Sequence, residues 1–252
     1  GPQVKVDPTD RTRGEHASST QRKLTANVAM PIEPRAFAGQ TRPVIRLTRG
    51  DAFAGTLDGV RPGDDIGTGE IFQAGNARRV VFVVDASGSL LDTLPIVLDD
   101  LRSTIAGLSA EQSFAVVFFN ASLGGQQQVV EVPPPGLRPA TALHRQRTIE
   151  WIDAQAGNIR PGGKTDPMPA ILRALAMDPQ LVILLSDNIT GRGPYEVDQA
   201  TPLHGVREAN RRHARFNTIQ FIYPDRLGTL QKLAEMTGGE YRYLDARAVG
   251  LR

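Results

Sequence analysis

At 252 residues, 40% hydrophobic and 22% charged, the chain is long enough for one large domain or one domain with a sizeable appendage. No apolar run reaches the roughly 18–20 residues of a membrane span, and the lack of cysteine excludes disulfides, a thiol nucleophile and cysteine-ligated zinc or iron–sulfur centres. The net charge of +2 hides an asymmetry: residues 1–50 carry nine Lys or Arg against four Asp or Glu, the remainder twenty against twenty-three.

Gly1 and Pro2 read as the remnant of a protease site, so any leader or membrane anchor is expected to have preceded them. Residues 1–26 are polar and aperiodic and predict a disordered basic linker. Positive charge on such a tail, rather than on a folded stripe with aromatics, argues against a nucleic-acid partner. It suits an anionic membrane surface, and the expected setting is a bacterial cell envelope with a tether upstream. Residues 27–68 hold short apolar pieces (Val44, Ile45, Leu47, Phe53, Leu57, Val60) broken by prolines and glycines. They predict an extended segment with two or three short strands, packed on a main domain that spans 69–252.

Within that domain, Ile71 and Phe72 predict a short leading strand, and residues 79–85 a buried β-branched one. Leu94, Val97, Leu98, Leu101, Ile105 and Leu108 recur at helical spacing, predicting a helix over 90–108 that tolerates Pro95 in its first turns. Residues 113–120 form a second buried strand, and 126–132 alternate weakly ahead of Pro133, as an edge strand would. Helices are predicted over 141–155 and 166–177, then a strand over 181–186, a polar helix over 204–214 and a strand over 216–223. A helix over 226–236 stops at Gly238–Gly239, and a last strand covers 240–244. Continuous apolar strands alternating with helices define an α/β fold, a Rossmann-like doubly wound and mostly parallel sheet with helices on both faces. Ligands of such sheets bind beyond the carboxyl ends of the strands, where strand order reverses.

Directly after the first strong strand stands Asp85-Ala86-Ser87-Gly88-Ser89, a carboxylate and two hydroxyls at alternate positions of a tight turn. Taken alone, this pattern is equally that of a helix cap. Two further oxygens stand where the fold could deliver them: Thr165, in Pro161-Gly162-Gly163-Lys164-Thr165-Asp166, and Asp187, closing Leu184-Leu185-Ser186-Asp187. Oxygen ligands are what a hard cation takes; thiol and imidazole are not needed.

The run Val80 to Ser89, the Gly-Gly-x-Thr loop at 162–165 and the Leu-Leu-Ser-Asp strand end at 184–187 resemble the three parts of a metal-ion-dependent adhesion site in von Willebrand factor type A domains. The strand Asn217-Thr218-Ile219-Gln220, Leu230 to Ala234 and Thr237-Gly238-Gly239 are similar to that family's closing section, so the likeness covers about 69–245. The resemblance implies that Asp85, Ser87, Ser89, Thr165 and Asp187 bind Mg²⁺, some through water, with Mn²⁺ or Ca²⁺ as substitutes. It also implies a six-stranded sheet with one antiparallel edge strand, which 126–132 would supply. Asn188, Ser186 and Leu90 depart from the commoner Gly, Thr and Met, which puts the shape of the outer rim in question.

Two acids roughly neutralise a dication, and the remaining neutral hydroxyls leave it electrophilic, with exchangeable water that a partner's Asp or Glu could replace. A helix starting just after Ser89 would oppose the cation with its positive end. The implied function is metal-dependent capture of a protein partner, not catalysis. The long polar loop after Asp187, with Asn188, Thr190, Arg192 and Tyr195, is expected to frame the partner site. The alternatives are a metal-free structural domain of an envelope-anchored assembly and a metal-assisted hydrolase, for which no general base is evident. Gly163-Lys164-Thr165 fails as a phosphate loop because Asn158 stands where glycine is required. Ser87 lacks the flanking glycine of a hydrolase elbow. The four histidines show no ligand spacing and read as surface residues.

Overall fold

A computed structural model describes residues 71–122, 125–163, 166–187, 189 and 198–248. The linker and extended segment expected over 1–68 lie outside the described residues.

The strands are β1 (Arg79–Asp85), β2 (Ser113–Ala121), β3 (Gln127–Glu131), β4 (Arg138–Pro139), β5 (Leu181–Ser186), β6 (Arg215–Phe221) and β7 (Tyr241–Leu244). They form one sheet in the order β3-β2-β1-β5-β6-β7, and the two-residue β4 pairs with β2. Pairings β2–β1, β1–β5, β5–β6 and β6–β7 are parallel; β3 and β4 run antiparallel to β2. The expected edge strand is thus present, and β4 is an addition that two residues could not announce by periodicity. From β1 the chain first moves outward to β2, then returns to place β5 on the other side of β1. The sheet therefore reverses its winding between β1 and β5, the crevice where ligands of such folds bind.

Both faces of the sheet are covered, which is why its central strands are apolar without alternation. Val80, Phe82 and Val84 point to one side, where α1 (Leu94–Gly107) and α2 (Ala142–Trp151) cover them with Val97, Leu101, Ile105 and the partly buried Ile149. Val81 and Val83 point to the other, against α3 (Met168–Leu175), α4 (Ala200–Ala209) and α5 (Thr229–Thr237) through Ile171, Val206 and Leu230. Each such fully buried aliphatic or aromatic side chain contributes about 1.5–3 kcal/mol. Trp151, partly buried, stacks on the buried Phe118 with ring centroids 6.5 Å apart.

Several boundaries differ from expectation. Among the described residues Ile71 and Phe72 pair with no strand: their N–H groups donate to Asp100 Oδ1 and Oδ2 at 3.0 and 2.9 Å. Thr104 Oγ1 and Arg242 donate to the carbonyls of Phe72 and Ile71, and the Phe72 ring meets Phe82 edge-on at 5.8 Å. A carboxylate has replaced a neighbouring strand as the partner of these amides. The helix expected over 90–108 is split: a 3₁₀ turn covers Gly88–Leu90 and α1 begins only at Leu94, with Pro95 in its first turn. The polar helix α4 lies earlier than expected. It ends at Asn210, whose side chain pairs with both Ala214 N and Ala214 O at 2.8 Å and closes a turn in which His213 takes φ 56°. The amide offers the backbone a competing partner, and the helix stops.

Candidate functional site

At the carboxyl end of β1, Asp85 is 1% exposed. Its Oδ1 accepts from Ser87 N at 2.7 Å and its Oδ2 from Ser186 Oγ at 2.5 Å. The parallel register Val84↔Leu185 makes Ser186 and Asp187 the lateral neighbours of Asp85, although a hundred residues separate them in sequence. Asp187 is buried too, at 5% exposure. Burial pushes the Asp85 carboxyl from 3.8 up to about 7; hydrogen bonds from Ser186 and Ser87 pull it down, and the charge on Asp187 raises it. Two acids thus share one partly desolvated corner of the sheet.

The hydroxyls complete that corner. Ser87 Oγ lies 2.9 Å from Ser89 Oγ, with Ser87 buried and Ser89 exposed, so the group opens to solvent on the side of Gly88 and Ser89. Ser87 stands at the cap position of the 3₁₀ turn, yet its side chain makes no capping bond. Helix capping therefore does not account for this serine. Because α1 starts at Leu94, its positive end is set back from Ser89, and the expected opposition to a cation is weaker.

The third loop arrives through glycines. Gly162 N donates to Ala86 O at 3.1 Å, and Gly162 O accepts from Ala121 N at 3.1 Å. Gly88 N donates to Gly163 O at 3.3 Å. A Cβ on Gly162 would fall 2.6 Å from Ala121 O; one on Gly163, whose φ is +52°, would fall 2.5 Å from Ala121 Cβ. Only glycine lets this loop lie against the end of β2 and bond to the Asp85 turn. Asn120 Nδ2, donating to Arg160 O at 2.7 Å, holds the same loop from below. Thr165, two residues further on, lies outside the described residues, as do Asn188, Thr190, Arg192 and Tyr195. Asp166 is described, and it accepts from Met168 N at 2.8 Å as an N-terminal partner of α3.

Asp85, Ser87, Ser89 and Asp187 are therefore brought to one place. Three residues outside the expected ligand set belong beside them: Ser186, bonded to Asp85; Asn120; and Gln220 of β6. The Gln220 Nε2 donates to Asp187 O and, at 2.5 Å, to Tyr223 O. Their signal was a polar residue at or near the carboxyl end of a strand. Among the described residues no three His, Cys, Asp or Glu side chains cluster as metal ligands. A cation held here would need the hydroxyls, and an all-oxygen set with two acids fits Mg²⁺. His144 is not a plain surface residue: its ring stacks on Phe114, centroids 4.5 Å apart. It and His213 lie toward the amino ends of the strands, the opposite end from Asp85.

No protein-family model matches the sequence, and a comparison with curated proteins finds no match. Solved structures do match in fold. A von Willebrand factor type A protein from Catenulispora acidiphila is 18% identical with a TM-score of 0.52, over 68% of this chain and 39% of that one. The pilus adhesin SpaC from Lactobacillus rhamnosus GG, in an open conformation, is 17% identical with a TM-score of 0.49, over 70% of this chain and 29% of that one. The SpRpn10 VWA domain is 9% identical with a TM-score of 0.47, over 67% of this chain and 88% of that one. The chain thus spans well under half of the first two proteins. The fold is that of a von Willebrand factor type A domain.

Proposed function

We propose that this domain binds a protein partner by capturing an Asp or Glu side chain through Mg²⁺ held by Asp85, Ser87, Ser89, Thr165 and Asp187. One observation carries the reading: two buried carboxyls adjoin at the reversal point of the sheet, one of them pushed up to about 7, beside the paired hydroxyls of the buried Ser87 and the exposed Ser89. Like charges buried together cost stability unless a cation lies between them. When bound, the metal would supply a Lewis-acidic site with an exchangeable position. Asp85 and Asp187 would carry the neutralising charge, while Ser87 and Ser89 would hold the open side without quenching it. The Gly162–Gly163 backbone would keep the third loop in reach. The residues that follow Asp187 in sequence, with Asn188, Thr190, Arg192 and Tyr195, would frame the partner.

A metal-free structural role has its own support, since both Asp85 oxygens already accept a hydrogen bond from the protein. Calorimetric titration of Mg²⁺ into the wild type and Asp85→Ala separates the two readings. Saturable heat in the wild type alone is expected. Equal silence from both proteins, with no change of melting temperature between Mg²⁺ and EDTA, would leave only the structural role.

A further inference from the structure

The opposite end of the sheet carries a second concave site that the metal hypothesis does not use. A cavity of about 660 Å³ lies across the amino ends of β1, β5 and β6, lined among others by Arg79, Arg212, Arg215, Asp178, His213 and Asn76. Strand order puts those three ends side by side, so Arg79 and Arg215 open strands that flank β5, and Arg212 approaches from the turn before β6. A second, smaller hollow shares Asp178, Pro179 and Arg212 with the first, leaving those three as the wall between them.

Two of the arginines are held rather than loose. Arg79 Nε donates to Asp178 O at 2.7 Å, and its guanidinium also lies 3.5 Å from Asp178 Oδ2. Arg212 reaches the same oxygen at 2.6 Å. Two guanidiniums thus crowd one carboxylate oxygen, while Asp178 Oδ1 is buried and has no hydrogen-bond partner among the described residues. A guanidinium has five N–H donors, and these contacts use only a few of them. Glu240 lies near enough to Arg215 to feel its charge. Within the lining itself, three arginines face a single carboxylate, an excess of two positive charges. Fork-shaped donors around a cavity of this size and charge match a doubly charged tetrahedral oxyanion.

We propose that this basal cavity binds a phosphate-type oxyanion, free or as the ester of a small molecule, through Arg79, Arg212 and Arg215. The site is independent of Asp85 and its neighbours, and its occupancy does not require metal. The test is a backbone-amide NMR titration of the wild-type chain in a metal-free, non-phosphate buffer at fixed ionic strength, with inorganic phosphate, glycerol 3-phosphate and succinate as ligands. Phosphate or its ester is expected to shift the amides of Asn76, His213 and Arg215 saturably and to leave those of Ser87 and Ser89 in place. Tighter binding of the ester identifies organic phosphates as the source, and tighter binding of the free ion identifies phosphate itself. Arg212→Ala and Arg215→Ala should each weaken binding about tenfold, the loss of a charge-assisted hydrogen bond. Arg212 is 75% exposed, so its removal leaves the fold in place. Shifts that grow without saturation, survive both substitutions, or follow succinate as well as phosphate would overturn the proposal.

Discussion

Asp85→Asn should make the metal-free domain more stable at high pH, although it removes a proposed ligand. Asn keeps an oxygen to accept from Ser87 N and offers N–H₂ to the Ser186 hydroxyl, in place of the two bonds the carboxylate now accepts. What it loses is the charge. Asp85 titrates near 7 in the folded protein and near 3.8 when unfolded, so the folded state is the one that holds the proton between those values. Stability contributed by the neutral carboxyl is present in full below about pH 4 and is lost as pH rises towards 7. From pH 4.5 to pH 8 that loss amounts to roughly 3 kcal/mol, at about 1.4 kcal/mol for each pH unit up to 7. Urea unfolding of both proteins in EDTA at the two pH values isolates the effect of Asp85 and its coupling to Asp187, because titrations not coupled to Asp85 cancel in their difference. The stability of Asp85→Asn relative to the wild type should rise by that amount. Adding Mg²⁺ at pH 8 should then restore the wild type alone, by about 2.7 kcal/mol at a hundredfold excess over Kd. A difference that stays flat with pH would refute the idea that buried like charge primes this corner for a cation.

The same linkage gives Mg²⁺ affinity a pH dependence: below pH 7 binding must displace the Asp85 proton, so calorimetry should show affinity falling up to about tenfold per pH unit, with proton release visible in buffers of different ionisation enthalpy. Gly163→Ala combines a left-handed φ with a 2.5 Å clash and should cost about 2–4 kcal/mol in urea unfolding. Gly88→Ala, whose Cβ would meet nothing closer than 3.9 Å, should change stability by less than about 1 kcal/mol. Asp100→Ala leaves the amides of Ile71 and Phe72 without their acceptor and should cost about 1–3 kcal/mol. Phe72→Ala, emptying a fully buried site, should cost about 3–5 kcal/mol; a negligible loss would show that residues 71–72 are not part of the core.

Much of the site was legible because its residues break local patterns. Asp85, Ser87 and Ser89 interrupt apolar or helical runs at alternate positions, and Gly162–Gly163 mark a loop that tolerates no side chain. Ser186, Asn120 and Gln220 were less visible. Each is a single polar residue at a strand end, and its meaning depends on what the neighbouring strand brings beside it. The misplaced helix boundaries at Leu94 and Asn210 have a similar origin: a local turn or a side-chain amide captures the backbone there, and residue spacing does not report it.

The sequence by itself determined that there would be buried parallel strands with helices between them, because apolar runs too short for membrane spans and too continuous for one-sided sheets have no other stable use. It also determined which oxygens were available at strand ends. Strand order and register were decided only in the folded chain, where β5 lies against β1 rather than against β2 or β3. That choice sets Asp187 beside Asp85 and gathers Arg79, Arg212 and Arg215 at the other end. Proximity between residues a hundred positions apart is a property of packing, and no local pattern encodes it.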